Sequence, residues 1–347
     1  MPGSRIAITG GAGYIGSLLT GELLRRGHQV RVLDTLLFGA ELLLAHLAHP
    51  GFAFRKVDVA DRKNDLVPLL EGSEIVFHLA AIVGFPACQQ IGEQAAWHYN
   101  VEATQRVFQA AETAGASRLV FASTYSNYGI AEGNAPVTET SPLRPQSLYA
   151  RTKIASEEYL LEQGRRSPVT VVIPRFATLY GISPRTRFDL IVNQFVLEAL
   201  TKRKLVIYQG DYNRSFIHVG DVVDALIQMA EAPAERVRNE IFNVAAANGN
   251  CSKLELVELI RKNVPSVEIE YRDLSFGEDM RDVAVSCEKI SRVLGFRARR
   301  GVEDGIVEIR DAVESGLIKD PSSAKYRNHQ FIVNLRRPTW ISATSTS

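Results

Sequence analysis

The sequence predicts a doubly wound α/β fold, a parallel sheet with helices on both faces, and a smaller α/β domain toward the C-terminus. Three observations predict it. A short apolar strand, Ile6–Thr9, runs into a turn with glycines at 10, 13 and 16 and then into a helix beginning near Tyr14. Apolar strand-like runs then alternate with helical stretches to about residue 173, the pattern of a parallel sheet buried on both sides. Beyond Gly181 the character changes to a Pro/Arg-rich loop followed by shorter, mixed elements.

Without side chains at Gly10 and Gly13, backbone N–H groups can close on a diphosphate, and the helix N-terminus at Tyr14 and Ile15 faces that negative charge. Gly16 lets the helix lie close against the strand. Glycine clusters also mark plain loops. Here a strand precedes the cluster, a helix follows it and Asp34 closes the next strand, which selects a Rossmann-type dinucleotide site. Ser17–Arg26 reads as a helix with Leu18, Leu19, Leu23 and Leu24 inward, ended by Gly27. Gln29–Leu33 and Phe52–Val57 are the next strands, with Asp58 at the tip of the latter, and Glu74–Leu79 leads into Ala80-Ala81. A long helix over Trp97–Ala114, a strand at Arg118–Ala122, a helix at Tyr149–Gln163 and a strand at Val169–Ile173 complete this half. In such sheets ligands bind beyond the carboxyl ends of the strands.

In the second half, the loop Ser183–Asp189 precedes a helix through Ala199, and Lys204–Ile207 is a short strand. His218–Met229 is helical and Glu240–Val244 returns to strand. Ser252 with Glu255 forms a capping-box pattern opening a helix to about Asn263. Cys287–Leu294 and Val302–Glu314 are further helices. These elements divide the chain into a nucleotide-binding part (1–180), a mainly substrate-binding part (181–320) with segments returning to the first, and a polar tail (321–347). The closing ISATSTS reads as mobile.

The 347 residues are 46% hydrophobic with a formal net charge of +1, so no charge surplus points to nucleic acid or to an anionic membrane. Cys88, Cys251 and Cys287 are scattered without CxxC spacing, which implies a reducing compartment and no metal site. No apolar run reaches membrane length, and the first strand begins too early to leave room for a leader. The expectation is a cytoplasmic protein.

Asp34 follows the glycine turn by about twenty residues. A carboxylate there accepts hydrogen bonds from both adenosine ribose hydroxyls and repels an added phosphate, so it selects NAD over NADP; the plainer reading is an Asp that starts a loop. Asp58 with Val59 suits the adenine edge or an ordinary strand end. Tyr149 and Lys153 are four apart and share a helix face. A nearby ammonium favours tyrosinate, which makes Tyr149 a usable acid/base near neutrality. Thr124, after the fifth strand, can polarise a substrate oxygen or serve as a turn residue or helix cap.

Together and in this order, these pieces resemble the extended short-chain dehydrogenase/reductase family, in its NAD-dependent nucleotide-sugar epimerase/dehydratase branch. The matching segments are TGGAGYIG at Thr9–Gly16, the Asp34 strand end, HLAA at His78–Ala81, Asn100-Val101, FASTYSNYG at Phe121–Gly129, YARTK at Tyr149–Lys153, PRFATLYG at Pro174–Gly181 and RSFIHVGD at Arg214–Asp221. They cover about residues 5–315. The resemblance implies Tyr149 as acid/base, Lys153 on the nicotinamide ribose, and Thr124 beside the reacting hydroxyl. It also implies Ala80, Ala81 and Asn100 at the cofactor, and Thr178, Arg214 and Arg281 at the substrate's diphosphate. His78 reads as structural. It implies a homodimer through the Trp97–Ala114 and Tyr149–Gln163 helices.

Departures narrow the chemistry. Tyr125-Ser126 stands where related dehydratases carry Asp-Glu, and where decarboxylases carry a glutamate at the second position. Thr178 replaces an asparagine common in sugar epimerases. In Ile82–Gln90, over the nicotinamide, Phe85 and Cys88 fit either packing or a substrate-facing role. The expected activity is epimerisation of a nucleotide-diphosphate sugar, most simply at C4. The alternatives are an NAD-dependent reductase or oxidase of a keto sugar or secondary alcohol, and an NAD-binding sensor without catalysis.

Overall fold

The computed structural model describes residues 3–131, 135–208, 212–272 and 283–332. In chain order the strands are β1 (Arg5–Thr9), β2 (Gln29–Asp34), β3 (Phe52–Lys56), β4 (Ile75–His78), β5 (Arg118–Phe121), β6 (Ser123–Thr124) and β7 (Thr170–Phe176). They continue as β8 (Thr178–Tyr180), β9 (Lys204–Tyr208), β10 (Asn213–His218), β11 (Glu240–Val244), β12 (Asn250–Ser252) and β13 (Glu268–Arg272). The main sheet runs β3-β2-β1-β4-β5-β7-β11, with β6 beside β7 and every pairing parallel. Strand order reverses between β1 and β4, so the crevice expected of a doubly wound sheet opens at their carboxyl ends.

The apolar runs explain the layering. Every residue of β4, β5 and β7 is buried. Alternate residues feed two cores. Ile6, Ile8, Val32, Phe77 and Val172 face Leu19 and Leu23 of the first helix (Tyr14–Arg25) and Val222 and Leu226 of helix Val219–Glu231. Ala7, Leu33, Val76, Leu119 and Val171 face Val107, Phe108 and Leu160, from helices Ala103–Thr113 and Leu148–Gly164. A third core joins Phe188, Val196, Leu205, Phe216, Leu256 and Ile306 around the smaller sheets. There β10 pairs parallel with β8 and antiparallel with β12, while β9 and β13 form a separate parallel pair. The chain then returns, and β11 extends the main sheet beyond β7.

The long helix expected at Trp97–Ala114 is interrupted. Glu93–Trp97 is α-helical, His98–Glu102 is a widened π turn, and the α-helix resumes at Ala103. The widening accompanies a local competition for one carbonyl, since Asn100 O accepts from the hydroxyls of Thr104 at 2.6 Å and Ser156 at 3.0 Å. The segment over the cleft is not simply a loop, because Phe85–Ile91 forms a helix behind Gly84. The tail also differs from its expectation. Ala324–Tyr326 forms a 3-10 turn and Asn328–Ile332 a short helix, held back against the molecule by Phe188 N–H donating to Tyr326 O at 2.8 Å. The terminal ISATSTS lies outside the described residues. No helix among the described residues is long and apolar enough to cross a membrane.

Candidate active site

A cleft of about 530 Å³ opens at the carboxyl ends of the main sheet. Its floor at one end is the glycine turn. Gly10 adopts φ +76°, and a Cβ there would stand 2.7 Å from Ala80 N, so only glycine lets the turn pass this close to Ala80-Ala81. A Cβ on Gly16 would lie 2.2 Å from Gly10 O, which is why the helix can begin against the turn. Gly13 caps that helix without a side-chain hydrogen bond, so the helix N-terminus offers its N–H groups and partial positive charge to an anion.

At the end of β2, Asp34 accepts from Ala12 N at 3.0 Å and from Leu36 N at 2.7 Å. These bonds aim the carboxylate into the cleft, and each oxygen keeps a further lone pair for a hydroxyl donor. Burial raises its pKa, against the pull of the backbone N–H groups. Asp58 is fixed in the same manner by Ala60 N at 2.9 Å, beside Val59. Tyr14, Ile15, Ala80 and Ala81 also border the cleft.

At the other end lies the helix Leu148–Gly164, started by Ser147, whose Oγ accepts from Ala150 N at 3.2 Å. Tyr149 and Lys153, one turn apart, both border the cleft. Lys153 is 2% exposed, donates to Ala122 O at 2.8 Å and lies 4.4 Å from the centroid of the Phe121 ring. Burial disfavours its charge and brings its pKa down to about 8. It remains mostly protonated at neutral pH, beside the phenol it is expected to tune.

Thr124 has the helix-cap role of its plainer reading and also faces the cleft. It caps the 3-10 turn Tyr125–Tyr128 by accepting from Ser126 N at 3.1 Å. Its hydroxyl donates to Ser126 Oγ at 3.0 Å, and Ser126 also borders the cleft. That contact was not foreseen from the sequence, where Ser126 stood out only for what it is not. Thr178 borders the cleft and shares a 2.7 Å hydrogen bond with the Tyr125 hydroxyl.

Other expected residues fall elsewhere. Asn100 does not border the cleft; its amide accepts from Ile82 N at 2.8 Å and donates to Thr152 Oγ1 at 3.0 Å, tying the loop over the cleft to the Tyr149 helix. Arg214 is buried on β10 opposite Cys251 and is not among the residues bordering the cleft. Arg281 lies outside the described residues. His78 bridges Thr9 and Thr104 at 2.7 and 3.0 Å, and burial drops its pKa to about 3, so it is a neutral internal strut. Phe85 borders the cleft, whereas Cys88 packs inside, its thiol donating to Ile82 O at 3.3 Å and pushed by burial to about 12.

The structure adds residues to which the sequence reading assigned no role. Arg185, Arg187 and Asp189 of the Pro/Arg-rich loop border the cleft, as do Asn328 and His329 of the folded-back tail. The Arg185 guanidinium lies 3.8 Å from the centroid of the Phe38 ring and donates to Asn328 Oδ1 at 2.8 Å. Burial pulls its pKa down to about 9.

Residues 6–245 match the model of the NAD dependent epimerase/dehydratase family. The chain belongs to this family. An uncharacterized UDP-glucose epimerase, YtcB of Bacillus subtilis, is 30% identical over 311 residues, covering 87% of this chain and 95% of the relative. A UDP-N-acetyl-alpha-D-glucosaminuronate decarboxylase of Bacillus cytotoxicus is 32% identical over 255 residues, 70% of this chain and 75% of the relative. Among solved structures, MoeE5 in complex with UDP-glucuronic acid and NAD superposes with a TM-score of 0.76 at 30% identity, covering 90% of this chain and all of that one (100%).

As an enzyme of the epimerase/dehydratase family the protein depends on NAD, and the cleft fits that cofactor. The bare helix N-terminus and close-packed glycine turn suit the diphosphate, and the aimed Asp34 suits an unphosphorylated ribose. Placing the 2′-phosphate of NADP beside this half-buried carboxylate loses the hydrogen bond of the 2′-hydroxyl and adds repulsion. Calorimetric titration of cofactor-free protein is therefore expected to show NAD binding about a hundredfold tighter than NADP, or more. Equal or tighter NADP binding would remove the role given to Asp34.

Proposed function

We propose that the protein is an epimerase of a nucleotide-activated sugar, acting at C4 of a UDP-linked hexose or hexuronate through a transient 4-keto sugar. The observation that carries this reading is that Tyr149 and Lys153 share a cleft in which no carboxylate among the described residues is poised for elimination. The described carboxylates bordering the cleft are Asp34, Asp58 and Asp189. Asp34 and Asp58 are held at the ends of the outer strands, and Asp189 is paired with Arg187 at 2.9 Å.

Tyr149 removes the proton of the 4-hydroxyl and returns it to the keto oxygen after the sugar has turned over. Lys153 keeps that phenol acidic. The Thr124–Ser126 hydroxyl pair orients the same oxygen, and Thr178, braced by Tyr125, borders the sugar. Bound NAD supplies the acceptor and donor of hydride for C4. On this reading the part from 181 to 320, from which Arg185, Arg187, Asp189, Leu190 and Gln194 border the cleft, mainly serves substrate binding. The same reading pairs two chains through helices Ala103–Thr113 and Leu148–Gly164 and places the protein in the cytoplasm.

A decarboxylase is the competing reading within the family, favoured by the relative named as one. It suffers from Ser126, where the resemblance calls for a glutamate. One experiment separates these reactions. The purified protein is incubated with a panel of UDP-sugars and uronates in D2O, and products are read by mass spectrometry and NMR. Epimerisation gives a C4-inverted product of unchanged carbon skeleton, with no solvent deuterium at C5. Loss of water or of carbon dioxide from the preferred substrate would overturn the proposal.

A further inference from the structure

For Tyr149 to act as a base, its phenol must lose a proton within the working pH range, and Lys153 supplies one positive charge toward that end. A second cation reaches the same space from another part of the chain. Arg187 lies in the loop between β8 and helix Ile191–Lys202, and its side chain borders the cleft with Tyr149 and Lys153. Asp189 holds one edge of its guanidinium, Nε donating to Oδ1 at 2.9 Å and Nη2 to Oδ2 at 3.1 Å. Nη1 makes no hydrogen bond among the described residues.

The loop is clamped from behind. Asn328 N–H donates to Asp189 Oδ2 at 2.9 Å, while Arg185 donates to Asn328 Oδ1. The short helix carrying Asn328 packs on Phe85–Ile91, which in turn packs on the Tyr149 helix. The fork of Arg187 is thus fixed rather than free to swing into solvent. Burial works against its charge, but the Asp189 carboxylate holds its pKa above the ordinary value, and Tyr149 adds to this when it is phenolate. Coupling is mutual, so a charge on Arg187 favours phenolate at Tyr149.

We propose that Arg187 is a positioning residue for proton transfer, its charge acting with that of Lys153 to set the pH at which Tyr149 serves as base. The proposal rests on the reading of Tyr149 as acid/base. It does not depend on which sugar is turned over.

Among the described residues, the other ionisable groups on the elements packed around Tyr149 leave this balance positive. Its own helix contributes Lys153, then Glu157, whose charge is matched by Arg175 at 2.6 Å, and on the outer side Arg151 paired with Glu93 at 3.4 Å. The loop contributes Arg185 and Arg187 against a single anion, Asp189, whose pKa lies below the usual range because Arg187 outweighs the cost of burial. From Phe85–Ile91 comes Cys88, neutral with its pKa near 12. The turn after β6 adds the Tyr125 hydroxyl, and the tail adds His329. Asp34 and Asp58 lie beyond the ends of β2 and the outermost strand, β3, across the switch point. Tyr14 is kept protonated by burial far above the range of interest.

The test is an ultraviolet tyrosinate titration of the NAD-loaded protein, each variant read against the same protein carrying Tyr149→Phe, so that only Tyr149 appears in the difference. Arg187→Gln is expected to raise the Tyr149 midpoint by about one pH unit or more. Arg187→Lys keeps the charge and should restore most of the shift. Asp189→Asn removes the facing anion and should move the midpoint down. Opposite signs for the two loop variants cannot come from a loosened loop, and Asp189→Asn with Arg187→Lys still decides the matter if Arg187→Gln does not fold. With an active substrate, the acid limb of the kcat–pH profile should follow the same shifts. The proposal is overturned if the midpoint stays within a few tenths of a unit, if both variants move it the same way, or if Arg187→Gln raises only KM. Absence of turnover on any sugar nucleotide would count against the epimerase reading and leave this titration to stand alone.

Discussion

Tyr149→Phe is expected to lower turnover by about two to four orders of magnitude while leaving NAD affinity nearly unchanged. The change removes one oxygen from a side chain that borders the cleft and packs beside Ile82, Ala87 and Leu148. The ring stays, so the wall stays. What goes is the group proposed to exchange a proton with the sugar. Lys153→Ala should behave differently and lose on both counts. It deletes a buried ammonium held by Ala122 O, which is expected to contact the nicotinamide ribose, and it raises the pKa of Tyr149. Steady-state rates together with calorimetric NAD binding distinguish the two variants. A Tyr149→Phe enzyme working near the wild-type rate would show that another group carries the proton.

The largest effect on stability is expected at Glu157, one turn beyond Lys153 on the same helix. Its carboxylate and the Arg175 guanidinium of β7 are 2% and 3% exposed and meet at 2.6 Å. Asn127 donates to Glu157 at 2.9 Å and Ser123 donates to the same oxygen, while Arg175 reaches the Tyr128 hydroxyl at 2.9 Å. Tyr128 passes the network on to Asn243 of β11 at 2.6 Å. The pair therefore pins the Tyr149 helix to the strand at its back. Glu157→Ala strands a buried guanidinium and should cost about 3–5 kcal/mol in chemical denaturation. Replacing both partners together by Leu and Met should cost much less than the sum of the single changes, since neither charge is then left alone. Additive losses in the double variant would mean that the pair is not the coupled unit the contacts describe.

What was legible in the sequence followed short-range rules. The glycine turn and Asp34 declare themselves because a strand, a tight turn and a helix sit side by side in the chain. The Ser252–Glu255 capping box and the helix Val302–Glu314 were readable for the same reason, and both are present. What escaped depends on partners far along the chain. The strands β8, β10, β12 and β13 are three to six residues long and are strands only because of one another or of β9. The π turn at His98–Glu102 depends on Ser156, a distant helix residue that competes for the Asn100 carbonyl. The folded-back tail has no apolar periodicity to announce it. It is held by polar contacts, Asn328 to Arg185 and Asp189, and those give a sequence pattern no different from solvated chain. For the same reason Arg187 read as part of a Pro/Arg-rich loop rather than as a residue bordering the same cleft as Tyr149.

The central claim is that oxidation and reduction occur at the same sugar carbon within one binding event. It is tested most directly with a UDP-sugar substrate carrying deuterium at C4, followed to equilibrium with the NAD-loaded protein. The account predicts that the label stays on C4 in both epimers, with no loss to water and none carried away on free cofactor. Label appearing in released reduced cofactor, or a product lacking it at C4, would contradict the account.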